Sequence, residues 1–125
     1  MSSERGTVHK LTKLESEVLE RLIAGGGQDT ALLRLQLDRA VIEARTLTGV
    51  GFFVDFTVPD GTPKLALGSS ELGGVNAELR GAKHDAGFML FMKDGYLSTL
   101  EGFTYDEPWP SDADEGYVLS GAGWW

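Results

Sequence analysis

Cysteine is absent from this chain of 125 residues, which excludes disulfides, thiol nucleophiles and thiolate metal sites and fits a reducing compartment. Histidine is almost absent: only His9 and His84 are available for acid-base or metal chemistry. No apolar run approaches the ~20 residues of a membrane-spanning helix, the longest being about Ala86 to Met92, so no membrane association is expected. Residues 1–10 are polar and charged, with no signal-peptide core. The expectation is a complete cytoplasmic protein, one domain over residues 1–125, whose first ten residues are disordered and leave His9 in solvent.

Basic residues are also missing, but only from one region. From Asp94 to Trp125 there are seven acids and no lysine or arginine, against a net charge of −8 for the whole chain. Phosphate-driven nucleic-acid binding, which needs a basic face, is thereby disfavoured. Such a pole would attract a basic protein partner or a cation, although an acidic tail also serves solubility alone.

What is present reads as an α+β domain: two N-terminal helices packed on one face of an antiparallel sheet of about five to six strands. Leu14, Val18, Leu19, Leu22 and Ile23 fall on one stripe of a helix from about Lys13 to Ala24. Thr12 with Glu15 forms a capping-box pattern at its start, and Gly25 to Gly27 end it. Asp29 or Thr30 would cap a second helix carrying Leu32, Leu33, Leu35 and Leu37. Ala40 to Leu47 fits helix or strand, its β-branched residues favouring strand. Alternation predicts strands over Gly51 to Val58, around Lys64 to Leu67, and through Val75, Ala77 and Leu79, with a Gly/Ser loop before the last.

Asp94-Gly95 between two apolar runs predicts a two-residue hairpin turn. A regular ladder from that turn sets Met92 opposite Leu97, Leu90 opposite Thr99 and Phe88 opposite Glu101. Both faces of the hairpin are then apolar, which places it mid-sheet, covered by helices on one side and on the other by a loop, the C-terminal segment or a second copy in a homodimer.

No phosphate loop, nucleophile elbow or zinc helix is present, and no cofactor is expected. Gly49-Val50-Gly51 reads as turn glycine. His84, beside Asp85, is the one imidazole placed for a structured site, and Asp85 with Asp55 or Glu43 would complete a cation site; a solvated loop histidine is the plainer reading. Glu101, set among Phe88, Leu90 and Phe103, must be protonated, paired with Arg45 or Arg80, or turned to solvent. If the protein is an enzyme, His84, Asp85 and Glu101 are its candidates.

The remaining cluster is Tyr105, Asp106, Glu107, Trp109, Asp112 and Asp114, with Trp124 and Trp125 beyond it in an acidic, aromatic segment over residues 111–125. Trp109 between two prolines suits a core cap, while exposed aromatics beside acids suit a protein-binding surface. Only about Asp106 to Gly116 reads as weakly structured.

Thr48-Gly-Val-Gly-Phe-Phe53, with Asp94-Gly-Tyr-Leu-Ser-Thr-Leu-Glu101-Gly-Phe-Thr-Tyr-Asp-Glu-Pro-Trp-Pro110, resembles a family of short uncharacterised bacterial proteins. They share a Thr-Gly-x-Gly-Phe-Phe segment and a Leu-Glu-x-Phe/Tyr-Thr-Tyr ending that closes on Trp-Pro. The resemblance covers about Arg39 to Pro110 and implies a shared fold, since the family carries no assigned reaction. A similar ending occurs in small immunity-type, partner-neutralising proteins. Three readings follow: a binding module or inhibitor using its acidic, aromatic C-terminal surface; a small enzyme or cation-binding protein; and a homodimeric domain without activity.

Overall fold

The computed structural model of the chain describes residues 11–66 and 70–121. The expected disorder of residues 1–10, His9, and the Trp124-Trp125 pair lie outside the described residues.

Helix α1, Lys13–Ala24, starts as its sequence demands. The Thr12 hydroxyl accepts from the Glu15 N–H at 3.1 Å while the Glu15 carboxylate accepts from the Thr12 N–H at 3.0 Å, closing the capping box. Gly25 ends the helix at φ −81°, and the left-handed conformation appears two residues later, at Gly27. Helix α2, Thr30–Arg39, follows a 3-10 turn, Gly27–Asp29. Asp29 precedes it without a side-chain cap, and the Thr30 hydroxyl donates back to the Ile23 carbonyl at 2.9 Å, tying the helices together. Gln36, on the buried side of α2, is fully enclosed: its amide donates to the Pro63 and Gly95 carbonyls at 2.9 and 3.0 Å and accepts from the Leu97 N–H at 3.0 Å. A buried amide with its polar atoms satisfied is affordable where an unsatisfied one is not.

Six strands form one antiparallel sheet: β1 Val41–Leu47, β2 Gly51–Thr57, β3 Ser70–Leu79, β4 Ala86–Lys93, β5 Tyr96–Phe103 and β6 Tyr117–Ser120. Their order is β1-β2-β5-β4-β3-β6. The β-branched content of residues 40–47 therefore decides for strand, and the β4–β5 hairpin is central as its two-sided apolar pattern requires. Residues 64–66 form no strand; instead the Leu65 N–H donates to the Gly95 carbonyl at 3.0 Å, so this stretch packs over the hairpin turn. The glycine-rich stretch expected to be loop opens β3, with a bulge between Leu72 and Val75 absorbing the glycines. Gly51 is likewise no turn residue, because it lies inside β2 where an added Cβ would meet the Gly102 carbonyl oxygen at 1.9 Å.

The hairpin register departs from a regular ladder. Lys93–Tyr96 and Met92–Leu97 pair as predicted, but a bulge at Ser98 shifts everything beyond it, so that Phe91 faces Thr99, Leu90 faces Leu100, Met89 faces Glu101 and Phe88 faces Gly102. Side chains alternate along a strand, so one extra residue moves the rest of β5 to the opposite face. Leu100 thereby enters the core and Glu101 leaves it.

Both helices lie on one face of the sheet, α1 over β3 and β4 and α2 over β5. The core between them holds Leu14, Val18, Leu22, Leu33, Val54, Leu72, Phe88, Leu90 and Leu100, all at most 2 % exposed. Residues 106–116, expected to be weakly structured, are held in place: Trp109 N–H donates to the Gly49 carbonyl at 2.9 Å, Thr104 N–H to Val50 at 2.8 Å, and Ala113 is buried. Strand β6 then pairs with β3.

Candidate functional site

Most of the acidic, aromatic C-terminal cluster is committed to the fold. Trp109 packs edge-on to Phe52 and Phe88, with ring centroids 5.2 and 6.1 Å apart, and so caps one end of the core. The Glu107 carboxylate accepts from the backbone N–H groups of Lys83 and His84, each at 2.9 Å, and those bonds hold it below the usual carboxylate range. Asp114 accepts from the Leu14 N–H at 3.3 Å at the start of α1. Asp112 lies 3.8 Å from the Arg80 guanidinium. Tyr105 is 51 % exposed, edge-on to Phe103, and Asp106 is exposed in a left-handed turn. Asp106 and Asp114 stay exposed and Asp112 half-exposed, so these acids remain open to solvent as well.

His84 and Asp85 sit exposed together on the turn before β4. Glu101, opposite Met89, lies roughly 13 Å along β4 from Asp85 at ~3.3 Å per residue, so the structure does not bring the three together. Asp55 on β2 and Glu43 on β1 stand on other strands again, and no group of three His, Asp or Glu that could hold a metal occurs among the described residues. The network expected between Glu101 and Arg45 is replaced by another. Arg45 points to the helix side and bonds Glu15, which is 5 % exposed and whose carboxyl is pushed up by burial against the opposing pull of the Thr12 N–H and Arg45. A small cavity of about 140 Å³ beside this pair is walled by Phe52, Trp109 and Leu47. The capping box already accounts for Glu15 there.

The face of the sheet away from the helices has a different character. The pairings set Thr46, Phe53, Glu101 and Met89 in one cross-strand row, Ala44, Asp55, Thr99, Phe91 and Glu71 in the next, and Phe103, Gly87 and Asn76 in a third. Phe53, Met89, Phe91 and Phe103 are half-buried. No described helix packs over them, and Tyr105, in the loop after β5, stands edge-on to Phe103. Asp55 accepts from the Thr99 hydroxyl at 2.9 Å. Glu101 has no hydrogen bond or ion pair among the described residues, and burial between Phe53 and Met89 pushes its carboxyl up. By alternation Glu78 shares this face, and Lys93 is the one base on it among the described strand residues.

Sequence reasoning found this face only in outline. The two-sided hairpin announced it, and the alternation of Phe53 with Asp55 marked its β2 part. Glu71 was hidden because the glycines around it read as loop. No family model, curated protein or solved structure matches the chain. No helix among the described residues is long and apolar enough to cross a membrane.

Proposed function

We propose that the protein is a protein-binding module, of the inhibitor or immunity-like kind, and that it engages a basic partner through the helix-free face of its sheet. The observation that supports this is the patch of Phe53, Met89, Phe91 and Phe103, covered by no described helix, flanked by Asp55 and Glu71 and with Glu101 set between Phe53 and Met89. Apolar side chains gathered on one uncovered face and rimmed by charge of one sign are what an interface needs: burial for affinity, complementarity for choice of partner. The acidic surface proposed for binding is the sheet face together with Tyr105 at its end.

The test compares affinity capture by the wild-type protein and by the Asp55→Asn, Glu71→Gln, Glu101→Gln triple variant, at low and moderate salt. Wild type should retain a basic protein that salt releases, and the variant should lose it while melting no lower than wild type. Equal capture by both would sink the reading.

A further inference from the structure

We propose that the element accepted by this face is an amphipathic α-helix with basic flanks, lying along the strands above β4 and β5; this rests on reading the face as a protein-binding surface. The geometry carries it in three steps.

The partner must cover the face rather than extend the sheet. Strand β1 at one edge is bulged between Ile42 and Ala44, and strand β6 at the other edge has only four residues, so neither offers a long regular ladder. An element laid on the face must therefore bring its own satisfied backbone, as a helix does.

The acids then set the width. Asp55 on β2 and Glu71 on β3 stand in the same cross-strand row with Thr99 and Phe91 between them. Three strand spacings of ~4.8 Å separate them by roughly 14 Å, just wider than the ~10 Å of a helix with its side chains. A helix seated between them rests apolar residues at three- and four-residue spacing on Phe91 and Met89, and points lysines or arginines outward to the acids on both flanks. Glu101, without a hydrogen bond or ion pair among the described residues, sits on β5 toward the helix's β2 flank and takes one more cation from that flank.

Charge also decides against a second copy. Two such faces brought together would set Asp55, Glu71 and Glu101 against acids of the same set, with Lys93 as the one base on the face among the described strand residues.

The methionines supply the readout, since Met89 lies on the open face and Met92 in the core. The full chain is methyl-labelled and titrated with a peptide of about 18 leucines and lysines at helical period, with an alternating peptide of the same composition, and with a leucine–glutamate helix. The basic helix should shift the Met89 methyl saturably while leaving Met92 nearly unmoved, and Asp55→Asn with Glu71→Gln should weaken it about three- to tenfold. The other two peptides should bind far more weakly. A still Met89 signal, or an alternating peptide that binds as well, overturns the proposal. So does a concentration-dependent Met89 shift without peptide, which would give the face to a second copy, or indole contacts to Met89 in the free protein, which would give it to Trp124 or Trp125. If the peptides fail while the triple variant still loses its captured partner, the helix falls and the binding reading stands.

Discussion

Glu101 and Glu107 are both acids of the C-terminal quarter, yet their surroundings drive them in opposite directions. Glu107 is held low by two backbone N–H bonds, so its contribution to stability is present above about pH 4.5 and lost as pH falls through its lower folded value. Glu107→Gln should therefore flatten the fall in melting temperature as the pH drops below about 4.5. Glu101 is raised by burial, so the charged form costs stability above its folded value and that cost disappears below about pH 4.5. Glu101→Gln should fold, melt no lower than wild type at pH 7, and converge with it in acid; a clear loss at pH 7 would reveal a partner for the carboxylate. Gln36 acts by a third route. Gln36→Leu strands the Leu97 N–H and two carbonyls in the interior and should cost about 2–4 kcal/mol by urea denaturation.

Single elements were legible from sequence wherever one physical signal dominated. The capping box, the apolar stripe of α1 and the Asp94-Gly95 turn each rest on local chemistry, and each formed where expected. Bulges were not legible, because an extra residue in a strand is favoured by tertiary packing rather than by a residue type. Ser98 carried no mark of being extra, and missing it put Glu101 on the wrong face and Leu100 with it. Deleting Ser98 tests this directly. With Ser98 gone the strand pairs regularly, Leu97 with Met92, Thr99 with Phe91 and Leu100 with Leu90. The variant should fold with Leu100 still in the core and within about 1 kcal/mol of wild type in a denaturation curve, whereas a much larger loss would show that the bulge itself is needed. Gly51→Ala should be destabilising by about 1–3 kcal/mol or more, since the obstructing atom is backbone of β5 and cannot swing aside. Gln36 also escaped notice, being a polar residue in a leucine-rich helix whose three partners lie far along the chain.

At the scale of the molecule, the layering follows from the count of elements. Two helices cover one face of a six-stranded sheet, and the described chain offers nothing of helical size for the other. The charge asymmetry visible in the sequence is real, Glu107, Asp112 and Asp114 tether loops and α1, and a further acidic and apolar patch is assembled from β2, β3, β4 and β5. The Gln36 side chain joins the two layers, and this has a consequence for hydrogen exchange. Leu97 lies beside the hairpin turn, where ladders ordinarily fray and amides exchange within the local opening time. Its N–H is instead held by a buried amide of α2, so deuterium can reach it only when the helix lifts from the sheet. Leu97 should then exchange as slowly as the centre of β4, making a residue at the tip of a hairpin a reporter of global opening.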